Sequence, residues 1–128
     1  MQAYQSIIEP VRQVVAEYPH AIPFAFLFGS FAVGKQTPLS DIDLAVYFHN
    51  ISDSEKTGIE QRISLLFDEP VNILRLDDDE ISPLVRLEAV SGLPIIAPDI
   101  DRLNDFILSL VHEANEYRHL MARLKRAA

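Results

Sequence analysis

Apolar positions change period several times along this chain, and each change marks an element. Ile7, Ile8, Val11, Val14 and Val15 recur at helical spacing and predict a helix over residues 4–18. Pro10 lies within that run, near the first turn or at a kink. "IPFAFLF", residues 22–28, is short, apolar and aromatic, and predicts a buried strand. "GSFAVGK" follows as a turn and a short helix, then "QTPLS" as a loop punctuated by Pro and Ser. "IDLAVYF", residues 42–48, predicts a second strand. Helical spacing returns over residues 53–67 through Ile59, Ile63, Leu66 and Phe67. "PVNILRL", residues 70–76, predicts a third strand. "DDDEISPLVRLEAV" opens on acids and Ser82–Pro83, which suit the first turn of a helix. "LPIIA", residues 93–97, is a short strand or an extended segment. From Ile100 onward one apolar stripe runs through Leu103, Phe106, Ile107, Leu110, Val111, Ala114, Tyr117, Leu120, Met121 and Leu124. Acids precede it and bases close it, as a helix dipole favours, so a long helix is expected over about 100–126.

Strands alternating with helices predict an α/β or α+β fold, with a small mixed sheet flanked by helices. At 128 residues the chain fits one domain, residues 1–128, with its core over about 20–97. Phe24, Phe26, Phe28 and Phe48 read as core on the sheet faces. The first half of the terminal stripe packs on the sheet. The second half is either more core or a face for a partner helix.

Composition narrows the functional classes. A formal net charge of -8 argues against direct binding to nucleic acid, which needs clustered Lys and Arg. With no cysteine, disulfides and thiolate metal sites are excluded. His20, His49, His112 and His119 are dispersed and read as surface or helix-end residues. No apolar run reaches membrane-spanning length, and the first residues lack the pattern of a signal peptide. The expectation is a cytoplasmic protein with no membrane partner.

Candidate chemistry sits in "FGSFAVGKQTPLSDIDLAVYF", residues 28–48. Asp41 and Asp43 are two apart at the start of a strand. In an extended chain they face the same side, with Cα atoms about 6.6 Å apart. Two such carboxylates can hold one divalent cation, or clamp two as phosphoryl-transfer enzymes do. A hard, oxygen-liganded metal such as magnesium suits this chain. Gly29 lets backbone approach a phosphate closely, and Ser30 could cap a helix whose N–H groups meet that anion. Taken singly, a Gly-Ser is a turn and an Asp-x-Asp a solvated strand start. Together, each beside an apolar strand, they point to a site for a nucleoside triphosphate.

These residues resemble the signature of the polymerase-beta-type nucleotidyltransferases: Gly-Ser, a loop, then Asp-x-Asp. Small size and the "SDIDLAV" form resemble the minimal nucleotidyltransferases (MNT), commonly antitoxins of HEPN-domain ribonuclease toxins. "EANEYRHLMARLK" is similar to the tail of such antitoxins. The resemblance implies a polymerase-beta-like fold and a single set of roles. Gly29 and Ser30, with Lys35, bind the triphosphate of ATP or another NTP. Asp41 and Asp43 coordinate Mg2+. AMP passes from ATP to a tyrosine hydroxyl of the toxin, releasing pyrophosphate and neutralising the toxin. The partners implied are that toxin and the nucleotide, with a homo- or hetero-oligomer both open.

The chain also departs from the family pattern. The third catalytic acid falls on Asn72, which can offer a metal one neutral oxygen. Arg75 takes the place of a further acid, and Val33 that of an arginine after Gly-Ser. Asp68 is about 13 Å from Asn72 in an extended chain, too far to substitute. Glu69 is a weaker substitute. Asp77, Asp78, Asp79 and Glu80 read as capping and dipole compensation for the next helix. The alternative is therefore an antitoxin of weak or absent catalysis that acts by binding alone. An antibiotic-modifying transferase ranks last, since this chain has little room for an acceptor domain.

Overall fold

A computed structural model describes residues 3–127. Residues 1, 2 and 128 of the expected domain lie outside the described residues. Eight elements follow in order: α1 (Ala3–Val15), β1 (Ala25–Phe28), β2 (Ile42–Val46), α2 (Asp53–Ser64), β3 (Val71–Arg75), α3 (Pro83–Val90), β4 (Leu93–Pro94) and α4 (Ile100–Ala127). The strands form one mixed sheet in the order β3-β2-β1-β4. β1 runs antiparallel to β2 and to β4, and β2 runs parallel to β3.

Strand parity divides the core in two. Ala25, Leu27, Ile42, Leu44 and Val46 point to one face, where Ile7, Val11 and Val15 of α1 and Ile59 and Ile63 of α2 cover them. Phe24, Phe26, Ala45 and Leu76 point to the other, beneath Ala89 of α3 and Leu103 and Phe106 of α4. Phe24, Tyr47 and Phe106 stack there, with ring centroids 4.8 to 5.5 Å apart. Phe48 packs with the first face rather than with the other three phenylalanines.

Local chemistry sets the helix ends. Ser52 and Glu55 form a reciprocal capping box at α2. Ser82 accepts from the Leu84 N–H at 3.3 Å, with Pro83 as first residue of α3. α1 ends at Val15, short of the expected residue 18, and the chain turns through Tyr18. Pro10 sits well inside α1 rather than near its first turn, so the Ser6 carbonyl lacks its helical N–H donor.

Charged side chains tie the elements together. Arg75 grips Glu60 of α2 at 2.9 and 2.8 Å, which holds its guanidinium pKa above the ordinary value. Its position is structural and faces away from the Asn72 side of β3. Asp77 does not cap α3. It accepts from the Phe48 N–H at 3.0 Å and from Lys56 Nζ at 2.6 Å, fastening β2 and α2 to the end of β3. Asp78 closes a local turn through the Glu80 N–H. Arg86, 3% exposed, donates to the Ile81 carbonyl and to Glu113, joining α3 to α4.

α4 is 28 residues, about 42 Å long. Its contacts end early: Leu110 and Ala114 are buried, and every described residue after Ala114 is exposed. Tyr117, Leu120, Met121 and Leu124 continue the apolar stripe in the open, 38–53% exposed. Among the described residues, no helix is long and apolar enough to cross a membrane.

Candidate active site

On the second sheet face, Phe106 of α4 packs over the Phe24–Tyr47 end. At the opposite end stand Asp41, Asp43 and Asn72. β1 pairs Phe28 with Asp43, and the parallel register pairs Asp43 with Asn72. Three chain segments distant in sequence therefore meet at one level of the sheet. The loop before β2 is fixed by Thr37 and Ser40: the Thr37 N–H donates to Ser40 Oγ at 2.8 Å, and the Ser40 N–H to the Thr37 carbonyl at 2.9 Å. The Ile42 N–H then donates to the Pro70 carbonyl at 2.9 Å, which locks Asp41 beside the start of β3.

Both carboxylates point the same way. Nδ2 of Asn72 lies 3.1 Å from Asp41 Oδ2 and 3.3 Å from Asp43 Oδ1, so one amide nitrogen serves both acids. Asp41 and Asn72 are exposed and Asp43 is half-buried. Among the described residues no Lys or Arg pairs with either acid. Two carboxylates sharing one neutral donor, with no cation beside them, form a locally anionic, solvent-facing site. That donor set fits a hard divalent cation that keeps some of its water for phosphate oxygens.

Gly29 closes the site from the β1 side. Its φ is +72°, and a Cβ built on it would overlap Asp43 Oδ2. Glycine is required here on two counts, the left-handed backbone and the carboxylate lying against its Cα. Ser30 follows half-buried, and its carbonyl accepts from the Lys35 N–H at 3.0 Å. The expected short helix at Ser30 does not form. Residues 30–34 are a hydrogen-bonded turn held between two left-handed glycines, Gly29 and Gly34, too close together for a helix to develop. Ser30 thus caps no helix, and any phosphate contact there comes from turn N–H groups and the hydroxyl. Lys35 and Val33 are exposed on the same turn, and among the described residues Lys35 pairs with no carboxylate.

Two features of this region were not foreseen from sequence. Asn72 turns its amide N–H groups, not its oxygen, toward the acids. A shallow cavity of about 240 Å³ also opens beside Gly29, lined by Phe28, Ala32, Val33, Glu88, Ser91 and Gly92. Gly92 is its one sequence signal: a Cβ there would overlap the Leu27 carbonyl oxygen, so β4 needs glycine to approach β1. A larger depression of about 450 Å³ lies beside His20 and Asp99, and neither acid of the pair lines it. No third acid joins the pair: Asp68 and Glu69 are exposed before β3, and among the described residues no cluster of three or more His, Asp or Glu forms a metal site.

Comparison with known proteins bears on this geometry. No curated protein matches the chain significantly. Solved structures do. A toxin–antitoxin structure with AMP-PNP superposes with a TM-score of 0.70 at 20% identity, covering 94% of each chain. A complex of tri-AMPylated Shewanella oneidensis HEPN toxin with MNT antitoxin gives 0.67 at 19% identity, covering 99% of this chain and 95% of that one. The MntA-HepT toxin–antitoxin gives 0.65 at 18% identity, over 96% and 94%. At these identities the likeness establishes the fold. Residues 9–100 match the family described as polymerase beta, nucleotidyltransferase. That match runs through the Gly29–Ser30 turn, the Asp41–Asp43 pair and Asn72, and the chain belongs to the polymerase beta nucleotidyltransferase family.

Proposed function

We propose that the chain is an MNT-type antitoxin that transfers AMP from ATP to a tyrosine hydroxyl of a HEPN-domain toxin. One observation carries the reading: a single amide nitrogen touches both Asp41 and Asp43 while Asp43 lies against Gly29. Acid pair and Gly-Ser turn are thereby one site. Asp41 and Asp43 would hold magnesium, and Gly29 and Ser30, with Lys35 on the same turn, would meet the triphosphate. Bound there, the metal supplies charge neutralisation for the phosphates and the leaving pyrophosphate. The chain's own contribution is position: the rigid β2–β3 register fixes both carboxylates, and the open end of the sheet admits a protein hydroxyl. The tyrosine oxygen bonds to the α-phosphorus, the bond to the β-phosphate oxygen breaks, and the phenolic proton passes to solvent. The resemblance to complexes containing AMP-PNP and an AMPylated toxin supports this substrate class.

The docking surface we assign to the toxin is the free half of α4. Tyr117, Leu120, Met121 and Leu124 form an exposed apolar seam, bordered by Arg118, Arg123, Lys125 and Arg126. Intact-mass measurement tests the transfer. Incubated with this chain and Mg-ATP, the toxin gains mass in whole AMP units, and the Asp41→Ala, Asp43→Ala double variant gives none. An unmodified toxin in the wild-type reaction refutes transfer.

Asn72 favours a second reading, neutralisation by binding alone, because a neutral amide stands where a third acid would. Under that reading the double variant still protects cells from the toxin. Loss of protection with the complex intact rules it out.

A further inference from the structure

The geometry points to Asn72 as a built-in competitor for the cation, one that restricts this site to a single divalent ion. An amide Nδ2 only donates, and here it donates to both acids, at 3.1 and 3.3 Å. It therefore occupies the ground a cation shared by Asp41 and Asp43 would take. The metal-free pair is not two bare repelling charges but two acceptors on one donor. A cation entering between them has to displace those N–H groups.

Charge sets the count. Two carboxylates match one divalent cation. Clamping a second ion about 3.5–4 Å away requires both acids to turn oxygens to each ion, and here the Asn72 amide holds one oxygen of each acid. Asn72 sits beside Asp43 in the parallel register, the one place on β3 from which a further anionic oxygen could come. It supplies a neutral amide instead, and among the described residues no neighbouring acid makes good the loss. Asp68 and Glu69 stand exposed before the strand, while Asp77 is committed to Lys56 and the Phe48 N–H.

This inference rests on the acid pair as a cation site and is independent of the acceptor. Its signature is opposite to that of an ordinary ligand. Removing a ligand weakens metal binding, whereas removing a competitor strengthens it. Free Mn2+ is followed by electron paramagnetic resonance as metal alone is titrated into wild type, Asn72→Ala and Asn72→Asp, each checked for folding by circular dichroism. Wild type binds one Mn2+. Asn72→Ala binds one about tenfold more tightly, the release of a hydrogen bond to a charged group. Asn72→Asp binds more tightly still. With one equivalent of α,β-methylene-ATP it holds two Mn2+ where wild type holds one. Weaker binding by Asn72→Ala overturns the inference, because the amide oxygen is then a ligand. Two Mn2+ on the wild-type nucleotide complex also overturn it and leave the proposed activity standing. No Mn2+ on any variant removes the acid pair as a metal site, and the proposed activity with it.

Discussion

Gly29→Ala and Gly34→Ala form a matched pair that isolates the contact on which the site depends. Both glycines sit at φ +72° in the same turn. An L-residue at such a φ costs about 1–2 kcal/mol at either position. The surroundings differ: nothing lies within 4 Å of a Cβ built on Gly34, whereas at Gly29 that atom overlaps Asp43 Oδ2. Rotating the carboxylate away does not suffice, because Asp43 Cγ and Cβ stand 3.1 and 3.2 Å from the same point. β1 and β2 must separate locally, or Asp43 must abandon its hydrogen bond to Asn72. Either response adds about 2 kcal/mol beyond the backbone term. Gly34→Ala should therefore lose about 1–2 kcal/mol and Gly29→Ala about 3–4 kcal/mol in urea denaturation at unchanged m-value. The difference corresponds to a further fall of about 6–10 °C in melting temperature for a domain of this size. Mn2+ affinity should shift in Gly29→Ala and hold in Gly34→Ala. Equal stability losses in the two variants would refute the placement of Asp43 against Gly29.

Other consequences are testable on the same protein. Lys56 is held above its ordinary pKa of 10.5, first by its hydrogen bond to Asp77 and further by the charges of Asp77 and Asp53. Its contribution is thus complete below pH 10.5 and lost as pH climbs through the raised value. The stability gap between wild type and Lys56→Met should be constant near neutrality and shrink above that pH, and a gap unchanged in alkali refutes the pair's role. Glu113→Ala should destabilise more than Arg86→Met, by about 1–2 kcal/mol in denaturant titration, because it strands a guanidinium that is 3% exposed; the reverse order would show that the Ile81 carbonyl, not Glu113, satisfies the charge. Leu120→Gln with Leu124→Gln should leave stability within about 0.5 kcal/mol of wild type, since both side chains lie in the open. The same double variant should lose toxin binding in size-exclusion chromatography, and retained binding moves the interface off α4.

Period alone revealed most of the fold. Ile42, Leu44 and Val46 alternate with Asp43, Ala45 and Tyr47, so β2 announced both a buried face and an acidic lip. Sequence reading erred where short segments answer to tertiary geometry. "GSFAVGK" carries helix-compatible residues, yet Gly29 and Gly34 both take left-handed backbone, and four residues between them cannot hold a helix. Pro10 violates a local rule inside α1, where burial of Ile7, Val11 and Val14 on the sheet outweighs the missing hydrogen bond. Asp77 looked like part of an acidic cap because its partners, Lys56 and the Phe48 N–H, lie more than twenty residues away in sequence. Asn72 was legible as a lost acid. That it would donate to two carboxylates was not, since an amide has both a donor and an acceptor end and only the register with Asp43 decides between them.

Parity also explains why the acids and the free half of α4 can serve different ends without interfering. A one-residue slip of β2 would bury Asp43 and expose Leu44, so the hydrophobic face fixes the chemistry of the opposite one. On that opposite face, the aromatic stack of Phe24, Tyr47 and Phe106 anchors α4 at the end of the sheet remote from Asp41. Arg86 and Glu113 fasten the helix again shortly before it leaves the domain. Beyond Ala114 its stripe lies exposed among the described residues, while the acid end of the sheet stays open.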